Sequence, residues 1–304
     1  MHTVLEHFGL EKAQSIYAFS PVYKAWSPAL QQWVVLKQTR NNLHHAKGIQ
    51  AWTQALNQEK VPCVQAISDL APNPRYLEEQ YWVVYPFIEG EPYNGRLSQI
   101  EAAGAYLGQL HQLNETFALP AYSWPLQDKA SLEEDRQGLL QLQNTLQDTI
   151  APALFQWLEQ HSNLHGYLHQ AKLPYITGSW DYKANNLIYQ DQGPVLIDPD
   201  SAGYLPRILD LALAAILFHN EIASAPARLF NEAEWNIFLK GYTRHITFTN
   251  SEKQQWSHAV QWMFLEEALW LLLTEGADTS NPHQHAFLRD VLILDQKPYL
   301  FQLS

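Results

Sequence analysis

The sequence predicts an α+β fold in two lobes, a small β-rich one over residues 1–90 and a larger helical one over 91–304. Three observations carry this. The strongest β-rich runs, QQWVVLKQT and YWVVYPFIEG, both precede or reach Gly90. Beyond it, apolar residues recur at three-to-four spacing in one segment after another. A single short hairpin interrupts those segments, in TGSWDYKANNLIYQDQGPVLIDPDSAG (Thr177–Gly203).

The elements follow in order. QQWVVLKQT reads as a strand carrying Lys37 near its end, and a helix is expected from about Leu43 to Asn57, closed by QEKVPC. YWVVYPFIEG is a second strand that runs into Pro86, Gly90 and Pro92, where regular structure must break. SQIEAAGAYLGQLHQL then places Ile100, Ala103, Tyr106 with Leu107, Leu110 and Leu113 on one helical face. Further helices are expected at about 131–147, 150–162, 206–218, 232–244 and 253–275. NLIYQ and PVLID are short strands around DQG, a turn whose Gly tolerates positive φ.

Composition narrows the class. Eleven Trp and fifteen Tyr in 304 residues suit a packed globular protein. The one cysteine, Cys63, excludes an intramolecular disulfide and a Cys-based zinc cluster, and suits a reducing compartment. The chain starts without a basic region followed by an apolar run. Its most apolar segment, Ala268 to Leu273, is too short to span a bilayer. The expectation is a cytoplasmic enzyme or binding protein with no membrane partner. Charge is lopsided: seven basic against seven acidic residues up to Gly90, but twelve against twenty-four thereafter. A phosphate backbone wants a basic surface, so nucleic acid is not expected as a partner. A metal ion or a cationic small substrate would be attracted, and an acidic surface also serves solubility.

The hairpin carries the chemistry. Asn186 and Asp198 are symmetric about Gln192, so in an antiparallel pair centred there they face each other, about 5 Å apart. A loop closing with a bulge shifts this register by one. An amide oxygen and a carboxylate at the open end of a hairpin suit Mg²⁺, which takes hard oxygen ligands and completes its shell with phosphates and water. Asp181 lies five residues ahead of Asn186, in a loop that must curl back over the same spot. There it would accept a proton from a substrate hydroxyl or orient that hydroxyl for attack.

Asp-x-x-x-x-Asn, a hairpin and then Ile-Asp resemble the catalytic loop and metal-binding Asp of the eukaryotic-like kinases. The nearest form is the aminoglycoside phosphotransferase/choline kinase family of small-molecule kinases. That family shows His-Gly-Asp, four residues, Asn, then Ile-Asp-Trp/Phe, and later Asp-Leu-Ala. This chain shows Ser179-Trp180-Asp181, Asn186, Ile197-Asp198-Pro199-Asp200 and Asp210-Leu211-Ala212. The resemblance implies a protein-kinase-like fold, Asp181 as catalytic base, and Asn186 and Asp198 as Mg²⁺ ligands. It implies Asp210 as a buried brace for the catalytic loop and Asp200 as a second-shell or second-metal candidate. Lys183 stands where a protein kinase Lys meets the transferring phosphate. VVLK makes Lys37 the candidate that pairs with nucleotide phosphates. VVYPFIEGE resembles the strand and hinge that cradle adenine, with Tyr85 C=O and Phe87 N–H as the pair because Pro86 has no N–H. YLGQLHQL resembles the family's Leu-Gly-x-x-Leu-x-x-Leu-His helix.

Three departures stand out. Trp180, not Gly, directly precedes Asp181, and the family's His is absent. The segment Ala18–Gln32, which should cover the phosphates, has no glycine, leaving Ser20 as a hydroxyl and N–H donor. HHAKGIQAWTQALNQ offers no Glu to pair with Lys37, so Gln50 or Gln54 is expected there. LHGYLHQ (Leu164–Gln170) mimics His-Gly-Asp but has Tyr167 for Asp, and Tyr is a poor base at neutral pH. Glu266 and Glu267, in WMFLEEALWLLL, are candidates to bind a cationic acceptor group, with a solvated surface role as the alternative. Trp262 and Trp270 are expected in the core, with an aromatic wall for a ligand as the alternative, and His44, His45, His283 and His285 are read as surface or core residues.

The resulting expectation is a small-molecule kinase using Mg²⁺ and ATP or GTP, with an aminoglycoside-, choline- or thiamine-like acceptor. Asp210 follows Asp198 by only twelve positions, too few for a peptide platform. Competing classes are a pseudokinase that binds a nucleotide or partner without turnover, and a metal-dependent hydrolase using the same aspartates.

Overall fold

The computed structural model describes residues 2–17, 20–70, 72–113, 116–146 and 150–303. A helix the sequence did not announce comes first, α1 (His2–Phe8), burying Val4 and Phe8. Five antiparallel strands follow with one helix among them: β1 (Glu11–Ser15), β2 (Val22–Ser27), β3 (Gln32–Thr39), α2 (Leu43–Gln58), β4 (Arg75–Leu77) and β5 (Gln80–Pro86). Their order in the sheet is β1-β2-β3-β5-β4. The apolar strands β3 and β5 therefore lie inside, and the polar EKAQS of β1 takes an edge, where a strand has one solvated side. Asn42 caps α2 by accepting the His45 N–H.

The rest is largely helical. It comprises β6 (Glu91–Pro92), α3 (Leu97–Gln112), α4 (Lys129–Leu146), α5 (Pro152–Glu159), α6 (His161–Gln170), β7 (Tyr175–Gly178), β8 (Leu187–Gln190), β9 (Gly193–Leu196) and β10 (Gly203–Pro206). Then come α7 (Arg207–Leu217), α8 (Glu232–Tyr242), α9 (Asn250–Met263), α10 (Leu269–Glu275) and α11 (Pro282–Val291). The expected helix over 253–275 is interrupted by a π turn at Phe264–Ala268. Leu164–Gln170 lies in α6 and is not a catalytic loop.

Two devices fix the helices near the site. Asn231 with Glu234, and Thr249 with Glu252, form reciprocal capping boxes at the starts of α8 and α9. Glu252 also receives both Nε and Nη2 of Arg207, at 2.9 and 2.7 Å, which ties the start of α7 to α9. Helices α3 and α8 cross closely because Gly104 faces the Phe238 carbonyl, where any Cβ would collide.

One large core fills the helical region, and Ile49, Trp52 and Leu56 of α2 belong to it. A smaller core lies under the sheet, around Val34, Leu36, Trp82 and Val84. Trp262 is fully buried as expected, but Trp270 is 65% exposed and not a core residue. It precedes Leu271 and Leu272, which take the buried face of α10, so its own side points outward. No described helix is long and apolar enough to cross a membrane.

Candidate active site

Between the sheet and the helices lies a cleft of about 530 Å³. Lys37, Asp181, Lys183, Asn186 and Asp198 all line it, together with Ser20, Tyr85 and Phe87. Residues distant in sequence thus meet on one surface.

Lys37 is presented by β3, opposite Val83 on β5 and Val22 on β2. Its ammonium lies 2.6 Å from both Asp198 oxygens and 3.2 Å from Asp200 Oδ2. Burial works against its charge, but the two aspartates outweigh burial and hold its pKa above the usual lysine value. Asp200 Oδ1 accepts the Tyr85 hydroxyl at 3.1 Å, so both Asp200 oxygens are engaged within the protein. Burial pushes the Asp200 carboxyl up while Lys37 pulls it back. The partner expected on α2 is therefore elsewhere: Gln50 donates to the Asn73 carbonyl, and Gln54 is exposed. Asp200 stands where a helix-borne Glu was missing.

The hairpin register differs by one from its simplest reading. Gln190 faces Gly193 across a two-residue turn, so Asn186 faces Ile197, whose N–H it accepts at 2.9 Å. Gly193, at φ +121°, ends the turn. Asn186 sits in a 3₁₀ turn (Ala184–Asn186) just before β8 and Asp198 lies just beyond β9. Asn186 Nδ2 donates to the Asp181 carbonyl and to Asp181 Oδ2, each at 2.9 Å, which fixes the carboxylate and leaves the amide oxygen available. Burial raises the pKa of Asp181, against the pull of Lys183. Lys183 lies 3.4 Å from Asp181 Oδ1 and 3.0 Å from Glu221 Oε2.

Behind this loop Asp210 is fully buried. Its two oxygens accept the N–H groups of Ser179 and Trp180, at 3.1 and 3.0 Å, and Oδ2 also meets His111 Nε2 at 3.0 Å. His111 Nδ1 is bonded in turn to the Tyr242 hydroxyl. Burial lowers the His111 pKa, opposed by Asp210. A Cβ on Gly178 would fall on the Asp210 carboxylate, so that position needs glycine for close approach. Trp180 has φ +55°, a left-handed backbone costly for any residue but glycine.

On the hinge side, Phe87 N–H already donates to the Trp33 carbonyl. Antiparallel pairs alternate between bonded and non-bonded, so Tyr85 faces β3 in the same way, opposite Val35. Val84 points the other way, its N–H and C=O both bonded to Asn73. Pro86 C=O and Ile88 N–H therefore face away from β3, and both residues line the cleft. This corrects the pair read from sequence, Tyr85 C=O and Phe87 N–H, by one residue; the Tyr85 side chain serves Asp200 instead.

A description of the phosphotransferase enzyme family matches residues 18–245. The chain belongs to that family. No curated protein matches it with significance. Among solved structures it is similar to amicoumacin kinase hAmiN in complex with AMP-PNP, Ca²⁺ and Ami, at 18% identity over 98% of this chain and 94% of that one, TM-score 0.63. It is similar to spectinomycin phosphotransferase with ADP and spectinomycin, at 15% identity over 98% and 97%, TM-score 0.60. A choline/ethanolamine kinase family protein from Mesorhizobium loti aligns at 10% identity over 95% and 91%, TM-score 0.58. The fold is the protein-kinase-like one.

The chain has a second concavity of about 330 Å³, lined in part by Trp180. Tyr122, Trp180, Glu266 and Glu267 line it. The π turn at 264–268 adds a residue to the helix, and both adjacent glutamates reach this one surface. Glu266 Oε1 lies 3.1 Å from His161 Nε2, while Glu267 accepts the Trp180 indole N–H. Burial, then Glu266 and Asp181, push Glu267 up to about 7. The Trp180 and Tyr122 rings are 4.8 Å apart, and Trp262 Nε1 donates to the Tyr122 hydroxyl at 2.7 Å. Ser20 lies on the cleft wall; Ala18 and Phe19 before it are outside the described residues.

Several participants had no sequence reading. His111 stood inside YLGQLHQL, at the end of a family-like helix, and that was its available signal. Glu221 and Tyr17 had none.

Proposed function

We propose that this phosphotransferase moves the γ-phosphoryl group of ATP or GTP to a hydroxyl of a small cationic acceptor. The observation that carries this is the placement of Asp181, held by Asn186, beside the Lys37–Asp198 pair in one cleft. Adenine nucleotides bound in the similar structures support the donor class.

The residues present fit a magnesium ion. The Asn186 amide oxygen and Asp198 offer hard oxygen donors, and four carboxylates (Asp181, Asp198, Asp200, Glu221) face two lysines (Lys37, Lys183). Asp200 acts as a brace for Lys37 in this reading, not as a second metal ligand, because it is held by Tyr85 and, unlike Asp198, does not line the cleft. When bound, the metal would screen negative charge on the phosphate oxygens.

The chain's own groups supply the rest. Pro86 C=O and Ile88 N–H hold the base edge. Lys37 holds nucleotide phosphates at the inner end, and Ser20 faces them from the sheet side. Asp181 orients the acceptor hydroxyl and accepts its proton as the oxygen attacks phosphorus. Lys183, beside Asp181, offers positive charge to the transferring group. Glu266 and Glu267, walled by Trp180 and Tyr122, hold a cationic group of the acceptor; charge and aromatic faces together favour an amine or quaternary ammonium. The lobes meet near Gly90, with the nucleotide between them.

A binding module without turnover is the second reading. It draws on the glycine-free segment, the missing helix Glu and Trp180, and Asp200 beside Lys37 answers the second of these. The test is calorimetric titration of MgATP and MgGTP into wild type and Asp198→Asn, then acceptor screening for a phosphorylated product. Binding that weakens in the variant, with product formed, supports transfer. No nucleotide binding by the wild type sinks the proposal. Nucleotide binding with no product from any amine-bearing acceptor favours the module.

A further inference from the structure

One oxygen of Glu221 joins the two sides of the cleft. Glu221 Oε2 accepts the Tyr17 hydroxyl at 3.0 Å from just beyond β1, and the Lys183 ammonium at 3.0 Å from the catalytic loop. Lys183 also lies 3.4 Å from Asp181 Oδ1, so Tyr17, Glu221, Lys183 and Asp181 form a continuous chain. This is no solvated surface pair: Lys183 and Glu221 side chains are 13% and 16% exposed. Glu221 is itself held. Its backbone has φ +62°, and its N–H donates to Gln284 Oε1 at 3.2 Å. Gln284 Nε2 is bonded to Asn220 Oδ1 at 2.8 Å and to Glu275 Oε2 at 3.3 Å. A left-handed non-glycine residue costs free energy, and here two helices and their buried amides hold it in place.

The arrangement answers a question the sequence raised. The segment before β2 has no glycine to wrap phosphate closely, so its position must be set by something other than backbone wrapping. Tyr17 lines the cleft and reaches 204 positions along the chain to Glu221. The cleft keeps its volume of about 530 Å³ with this contact made, in the range of small-ligand sites. The contact therefore pre-forms the cleft and does not block it. Lys183 has three donors; two meet Glu221 and Asp181, and the third is left for an incoming phosphate.

We propose that Glu221 is a positioning residue that clasps the two sides of the nucleotide cleft through Tyr17 and, with the same oxygen, aims Lys183 at the γ-phosphate. This rests on the reading of the cleft as the nucleotide site. Glu221 touches neither nucleotide nor acceptor. Its effect is read through Tyr17 as general nucleotide affinity and through Lys183 as a preference for triphosphate over diphosphate.

The experiment is calorimetric Kd measurement for MgATP and MgADP with wild type, Tyr17→Phe, Glu221→Asp and the double variant. Both substitutions leave the charge of the cleft unchanged, so the readout is geometric. Tyr17→Phe keeps the ring and loses the clasp, and is expected to weaken MgATP and MgADP alike, by about fivefold. Glu221→Asp withdraws the carboxylate by one methylene from both partners. It is expected to weaken MgADP by about fivefold, as loss of the clasp alone does, and MgATP by about twentyfold, since MgADP lacks the group Lys183 meets. The double variant is expected to match Glu221→Asp within about twofold, because the two residues act as one unit. Losses that multiply in the double variant, equal losses on both nucleotides with Glu221→Asp, or wild-type affinities throughout overturn the proposal alone. Failure of the wild type to bind MgATP overturns the nucleotide reading and this proposal with it.

Discussion

Asp210 holds Trp180 in a conformation that Trp180 would not choose. The carboxylate accepts the Trp180 N–H at 3.0 Å, and the residue so held has φ +55°. The same carboxylate holds Ser179 and His111, so three donors converge on one fully buried group. Removing it leaves buried donors without partners and a strained turn without restraint. Asp210→Ala is expected to lower stability by on the order of 3 kcal/mol and to uncouple the loop carrying Asp181. Urea unfolding of the two proteins measures this, and a loss below about 1 kcal/mol would refute the brace.

Lys37 gives a second prediction. Its charge is met from one side by Asp198 and from another by Asp200, itself held by Tyr85. Asp200→Asn keeps the shape and removes one of the two charges that keep the ammonium in place. MgATP affinity is expected to fall by about tenfold, with Tyr85→Phe falling by less, about threefold. Isothermal titration compares them, and equal affinity across the set would show that Asp200 does not position Lys37.

The hinge assignment is checked by amide exchange. Phe87 N–H is bonded to Trp33 in the free protein, whereas Ile88 N–H faces the cleft. Nucleotide should slow exchange at Ile88 by at least about tenfold and leave Phe87 nearly unchanged. Residue-resolved exchange by NMR, with and without MgATP, separates the two positions. Protection gained at Phe87 instead would restore the pair read from sequence.

Glu267 predicts a pH dependence with a definite sign. Its folded pKa is about 7 against an ordinary 4.5, raised by burial and then by Glu266 and Asp181. Between these values the folded protein binds more protons than the unfolded one. This group therefore costs nothing below about pH 4, and its cost grows as pH rises to about 7 and then levels. The full cost is on the order of 2 kcal/mol after allowance for partial exposure. Glu267→Gln is expected to flatten the stability profile between about pH 4.5 and 7 and to gain stability at pH 8. Melting curves across that range are the measurement, and parallel profiles for the two proteins would refute the assignment.

Much of the fold was legible because its signals are local. The β-rich run of β3, the three-to-four spacing of α3, and the Gly-bearing turn between β8 and β9 are each set by neighbours in the chain. The misses have the opposite origin. Helix α6 went unread because it buries Leu164 and Leu168 among His, Gly and Tyr, a weak apolar stripe, although the segment was rightly rejected as a catalytic loop. The hinge pair turned on which edge of β5 faces β3, a property of the sheet and not of the strand. The hairpin closed over two residues instead of three, which moved Asn186 opposite Ile197. Asp200 lies 163 positions from Lys37, and Glu221 lies 204 from Tyr17, so nothing in a local window connects them.

The pairing of Lys37 has a further consequence. Both of its partners lie on the short segment that follows β9, and α2 contributes no side chain to the ammonium. The helix instead rests on that segment, through His45 to the Ala202 carbonyl, and buries Trp52 in the large core. In protein kinases a glutamate carried on the corresponding helix makes the pair, so that rocking the helix turns catalysis on and off. Here the helix has nothing to withdraw. The Lys37 contact is set by the segment after β9, and a movement of α2 alone would take no charged partner from it.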